Sequence, residues 1–261
     1  MHKNRWYWWH TMLMFLLVGA LIVLAILPTA GSLVPTWLGG CAILLAMMAV
    51  ASHGITRRWL GVLIDSRNRI SLARLQIVLW TVVILPAIFS TVLGNVDAGS
   101  LTPLSFDVPI ELWIVMGLST ATMIGSPLLV NRKGEKQPDN EEMAHQLDTL
   151  IDQGVDVKSV SSNGLILTYK RPSQARWSNL FRGEETGNAA QFDLARVQML
   201  FITLILVIGY ASALASLMSS GNVVTALPPV DDGMIALLTV SHAGYLTNKL
   251  VPHSKEQINA D

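Results

Sequence analysis

The sequence predicts an all-α polytopic membrane protein. Six transmembrane helices form an N-terminal hairpin and two parallel two-helix repeats, with a small cytosolic α+β insertion between the repeats. Three observations carry this. Only 14% of the 261 residues are charged and 51% are hydrophobic, whereas a soluble domain carries about a quarter charged. Long stretches, including 11–27, 34–52, 75–93 and 197–218, hold no charge at all and approach the roughly 20 apolar residues that cross a bilayer. Finally, SLARLQIVLWTVVI at 71–84 returns as DLARVQMLFITLIL at 193–206.

The spans are expected at about 11–28, 35–52, 72–93, 109–130, 193–218 and 233–250. Lys and Arg set their direction. With the N-terminus in the cytosol, the outside segments 29–34, 94–108 and 219–232 and their flanks hold none of the 18 basic residues. They hold Asp97, Asp107, Glu111, Asp231 and Asp232 instead. Both termini are thus expected on the cytoplasmic side of a plasma membrane, with Trp6, Tyr7, Trp8 and Trp9 in the interfacial aromatic belt. Lys3 and Arg5 before an apolar core also suit a signal peptide. An apolar run of about 17 residues is long for one, and Pro28-Thr29-Ala30 is a poor cleavage site, so an uncleaved span is expected.

Residues 1–56 form the N-terminal transmembrane hairpin. Repeat 1 covers 57–130 and repeat 2 covers 176–250. Each opens on a shared phrase, Arg58-Trp59-Leu60-Gly61-Val62-Leu63 and Arg176-Trp177-Ser178-Asn179-Leu180-Phe181. Trp59, Val62 and Leu63 recur at i, i+3, i+4, as do Trp177, Leu180 and Phe181, which predicts a short amphipathic helix at each membrane interface. Both copies start in the cytosol, so a pseudo-twofold along the membrane normal should relate them.

The insertion, 131–175, starts a helix at Asp139-Asn140-Glu141-Glu142, and Gly154 ends it. Val155–Ser161 and Leu165–Lys170 flank Asn163-Gly164, a strong hairpin signal. This piece is too small to hold a core alone and must pack on something. A cytosolic tail, 251–261, completes the chain.

Candidate functional residues follow from the repeats. Ser71 and Asp193 are N-caps, which puts Arg74 and Arg196 in the first helical turn, against the helix dipole. Snorkelling to lipid phosphates would explain them; a cytosolic vestibule shared with Gln76 and Gln198 is the sharper account. Gly117, Ala121 and Gly125 form a small-residue ridge, answered by Thr239, Ala243 and Thr247, which predicts close helix packing within the chain or between subunits. His242 is an ionisable group at mid-span, beside Ser241 and one turn from Tyr245. Its repeat partner is Thr120. With Ser241 and Ser119 it should face the bundle interior, either as a hydrogen-bonding strut or lining a polar path.

Catalytic and metal chemistry find no foothold. The remaining His residues are scattered, Cys41 stands alone, and Gly183-Glu-Glu-Thr-Gly187 lacks the lysine of a phosphate cradle. Enzyme, cofactor and nucleic-acid partner are not expected. Zero net charge agrees with the last. Three functions remain. The first is a membrane subunit (scaffold, anchor or sensor) that docks itself or a cytosolic partner through the insertion. The second is a homo-oligomeric channel lined by polar residues of spans 4 and 6. The third is a small-solute transporter, disfavoured because Pro86 has no counterpart in the second repeat. The lack of buried charge supports the first.

Overall fold

The computed structural model describes residues 6–27, 31–220 and 222–257. It is mostly helical, 65%, with a two-stranded sheet. The helices are α1 (Trp8–Ile26), α2 (Val34–Thr56), α3 (Leu72–Asp97), α4 (Ile110–Lys133), α5 (Asn140–Asp152), α6 (Leu194–Met218) and α7 (Asp232–Leu250). The strands β1 (Val160–Asn163) and β2 (Ile166–Tyr169) fall between α5 and α6. Among the described residues, five helices, α1, α2, α3, α4 and α6, are long and apolar enough to cross a membrane. The sixth expected span, α7, has 19 residues and is about 28 Å long. Asp232, His242, Asn248 and Lys249 keep it out of that set by lowering its hydropathy. The proposed cleavage site at 28–30 lies outside the described residues.

The chain forms two compact units, each assembled from three segments: 1–62, 76–117 and 203–236 in the first, 63–75, 118–202 and 237–261 in the second. In the first unit, Trp37 Nε1–H donates to Val83 O at 3.1 Å and Leu33 N–H to Met218 O at 2.8 Å. Asn95 both donates to Val224 O and accepts from Val224 N–H, each at 2.9 Å. Trp80, Ile84, Leu112 and Leu214 fill its core at 1% exposure or less. Here lie two departures from expectation. Pro127 in α4 joins Pro86 in α3 as an internal helix proline, and both helices run on through them. The amphipathic helices are single 3-10 turns, Gly61–Leu63 and Trp177–Leu180. Each is followed at once by a closed loop, so neither has the length to lie along a membrane surface. Trp59 and Trp177 are exposed while Leu63 and Leu180 are buried.

In the second unit, α5 begins as its acids foretell: the Asp139 side chain accepts from Glu142 N–H at 2.8 Å, and Gly154 follows the helix end with φ +76°. The hairpin pairs Val160 with Tyr169 and Asn163 with Ile166. Its first strand is shorter than expected because Asp156 caps a 3-10 turn at Val157–Ser159. Leu150, Val155, Val160, Leu167, Tyr169 and Ala189 make a small core. The free edge of β2 is also covered: Leu167 N–H donates to Glu184 O and Thr186 N–H to Leu165 O. The insertion therefore rests on residues 184–190, inside its own unit.

The small-residue ridge is not internal packing. Gly117, Ala121, Thr239, Ala243 and Thr247 are exposed and Gly125 is half-buried; a methyl on Gly117 would meet nothing within 4 Å. These residues offer helix faces outward.

Candidate functional site

Two loops of the second unit are closed alike. In 64–71, Ile64 bridges Ile70, Asp65 N–H donates to Arg69 O at 2.9 Å, and Ser71 N–H donates to Leu63 O at 2.8 Å. In 182–193, Arg182 bridges Phe192, Gly183 N–H donates to Gln191 O at 3.2 Å, and Asp193 N–H donates to Phe181 O at 2.8 Å. Their charges are opposite. The first loop holds Arg67 and Arg69, ordered by the Asp65 carboxylate, which accepts from both backbone N–H groups. The second holds Glu184 and Glu185.

Glu184 is the centre, 6% exposed. Its Oε2 lies 2.5 Å from Arg67 Nη1 and 2.6 Å from Arg196 Nη2, and its Oε1 lies 2.7 Å from Lys249 Nζ. Arg69 donates to Gly183 O at 2.7 Å. Beside it, Glu185 pairs with Lys133 at 2.5 Å and accepts from His253 N–H at 2.9 Å. Five cations (Arg67, Arg69, Lys133, Arg196, Lys249) thus meet four carboxylates (Asp65, Glu184, Glu185, Asp193). Burial alone would raise the Glu184 carboxyl. Arg196, Arg67, Lys249 and Arg69 outweigh it and hold the group well below the usual carboxylate range. Burial and then the neighbouring Arg196 and Arg67 pull Arg69 down to about 10, so it stays charged at neutral pH.

A pH dependence follows. Glu184 titrates below the 4.5 of a free glutamate, so its contribution is fully present above that pH and is lost as pH falls through the lower folded value. The difference in melting temperature between the wild type and Glu184→Gln should therefore shrink as pH is lowered from 7 to 3. A difference that stays constant over that range would show that this carboxylate is not the one protonated.

Against one side of this cluster lies a cleft of about 340 Å³. Its polar wall includes Arg67, Arg74, Ser71, Asn131 and Asn163, with the Asp65 carboxylate among them, and Met123, Pro127, Val130 and Ile166 form its apolar wall. The polar wall offers guanidinium, hydroxyl and amide donors, the inventory that holds phosphate or carboxylate oxygens.

The sequence-derived candidates separate. Arg74 lines the cleft. Arg196, 3% exposed, is locked on Glu184 and Asp193 and cannot reach a lipid phosphate. Gln76 is fully buried and donates to Thr203 Oγ1 at 2.5 Å, while Gln198 is exposed. His242, Ser241, Ser119 and Tyr245 are all buried; Thr120 is exposed. His242 Nδ1 lies 2.6 Å from Thr122 Oγ1, the geometry of a strut joining α4 and α7. Tyr245 sits under two cations, 5.0 Å from Lys249 Nζ and 5.7 Å from Arg196. Among the described residues, no group of three or more His, Cys, Asp or Glu is placed to hold a metal ion.

Charge is buried after all, and Glu184, Lys249, Lys133 and Arg69 were missed as functional residues. Two signals were present. Lys249 interrupts the end of an apolar helix, and the acidic pair Glu184-Glu185 sits between glycines in a segment with neither helical nor strand periodicity. The chain matches no protein-family model, no curated protein and no solved structure, so the reading of the site rests on its own chemistry.

Proposed function

We propose that this chain is a non-enzymatic integral membrane subunit, a sensor or docking element, that captures a phosphate-bearing anion in the Arg67–Arg74 cleft. The observation that carries the reading is the cleft itself, with one guanidinium clamped between two carboxylates, Asp65 and Glu184, and a second from the adjoining helix turn. Holding Arg67 rigid lowers the entropic cost of binding. The excess of cations in the cluster gives the site a positive field.

In this reading the chain spans the membrane six times, with α7 as the last crossing and the segments 57–71 and 134–193 on the cytosolic side. The skew of basic residues and the length of α7 support that. A parallel duplication is supported by the matched closure of the two loops, in which Leu63 and Phe181 accept from Ser71 and Asp193. The insertion serves as a platform for docking. Deleting 139–171 would strip the edge from residues 184–186, so surface point variants, not deletions, should probe any partner. Protease protection should place Gln137 and the C-terminal tail on the same side; opposite sides would end this topology.

The capture is tested with protein in nanodiscs. Arg74→Gln should weaken binding of pyrophosphate, or retention of phosphatidylglycerol counted by native mass spectrometry, by about ten- to a hundredfold, the worth of a charge-assisted hydrogen bond. Loss of the first alone would identify a soluble phosphate ligand, and loss of the second alone a lipid headgroup. Unchanged binding of both would overturn the reading.

Self-association is a second reading, favoured by the outward small faces of α4 and α7, which suit close approach of another copy. A pore lined by spans 4 and 6 draws less support, because Thr122, Ser126 and His242 are bonded inside the chain. A solute carrier gains nothing from Pro127, which lies in the same repeat as Pro86. Oligomeric state in nanodiscs separates these readings from a solitary subunit.

A further inference from the structure

The first unit contains a second cavity, of about 370 Å³, built differently. Its wall is mostly apolar, with Val115, Leu206, Val230 and Met234 among its lining residues, and it also includes Trp80, Tyr210 and Asp231. Trp80 and Tyr210 are 1% and 6% exposed, and their rings lie 6.0 Å apart, tilted by 58°. Among the described residues, neither the indole Nε1–H nor the phenol O–H has a hydrogen-bond partner.

Two buried donors without acceptors, both on residues that line one cavity, call for a cause. A buried donor left unmade costs about 1–3 kcal/mol, and such groups in native proteins nearly always find a partner. Indole N–H can only donate, so the missing partner is an acceptor. Asp231 also lines the cavity, and its carboxylate repels an anionic acceptor. The size falls within the range of small-molecule sites, at its lower end.

We infer that this cavity binds an uncharged apolar molecule through one carbonyl oxygen, which accepts from Trp80 Nε1–H and Tyr210 O–H while its hydrocarbon part lies against Val115, Leu206 and Met234. The carbonyl belongs to a quinone ring or to a lipid ester; the donor pair recognises the same oxygen in each. This site is independent of the cationic cleft, since every residue in it belongs to the first unit.

The full chain in nanodiscs of ether-linked phosphatidylcholine, which has no ester carbonyl, provides the test. Decyl-substituted benzoquinone should bind saturably, read by quenching of tryptophan fluorescence, and decylbenzene should bind at least tenfold more weakly. Tyr210→Phe should weaken the quinone by about five- to tenfold. Without ligand, the same variant should melt at or above the wild-type temperature, because an unpaired donor has been removed. Replacing the ether lipid with its ester counterpart distinguishes the two sources: a fall in apparent quinone affinity identifies the ester as occupant, and no change favours the quinone. Equal binding of decylbenzene would reduce the cavity to an acyl-chain groove and overturn the assignment. So would unaltered quinone binding by Tyr210→Phe, or a loss of stability in that variant without ligand.

Discussion

Glu184→Gln is expected to cost about 3–5 kcal/mol, the range for removing one partner of a buried ion pair, and to lower the melting temperature by roughly 6–20 °C. The size follows from what the carboxylate neutralises. Arg67, Arg196 and Lys249 all touch it, and Arg69 stands beside it. An amide of the same shape preserves packing but leaves like charges crowded in a site nearly shut off from water. Melting in detergent, followed by intrinsic fluorescence, measures this. The companion Glu184→Gln/Lys249→Met should recover part of the loss, since it removes one stranded cation together with its desolvation cost. A single variant that melts with the wild type, or a double variant no better than the single, would show that the cluster is not electrostatically coupled.

Gly164→Ala should be the next largest effect. The turn residue has φ +57°, which costs an L-residue about 1–2 kcal/mol. A Cβ there would also stand 2.5 Å from the backbone of Gly134 and 2.6 Å from Lys133 O, overlap that adds about 1–3 kcal/mol. Gly154 is the control: its φ is +76°, but nothing lies within 4 Å of an added Cβ. Gly154→Ala should therefore show only the backbone cost, and the difference between the two variants measures how tightly the hairpin sits on the end of α4. Equal losses would mean that close approach contributes nothing. Because Leu165 N–H donates to Lys133 O at 3.0 Å, unseating the turn should also loosen Lys133 from Glu185, visible as faster amide exchange at the C-terminal end of α4.

Local pattern was readable from the residues alone wherever it depended on neighbours in the chain. The helix over 140–152 follows from Asp139 as its cap, and the hairpin around Asn163-Gly164 follows from turn chemistry. Each charge-free stretch became a helix, because backbone groups withdrawn from water must bond within their own segment. Periodicity overreached at Trp59–Leu63 and Trp177–Phe181. Three apolar groups at helical spacing also fit one tight turn, and the loop that follows each leaves no room for more. Periodicity left open whether Gly117 and Ala121 pack within the chain or between subunits, because spacing says only that small residues share a face, not which way that face looks.

Long-range pairing was out of reach for the same kind of reason. Arg74 and Arg196 stand in almost identical words, yet one lines a cleft and the other is sealed against Glu184. Glu184 reaches Arg67 across 117 positions and Lys249 across 65, and no local rule carries charge complementarity over such distances. Composition and periodicity locate the helices long and apolar enough to cross a membrane, since those follow from each segment's own balance of burial and backbone bonding. Which charges are buried, which donors go unmatched and which helix face is offered outward are set by packing among segments remote in sequence, where the energy depends on the partner and not on the residue.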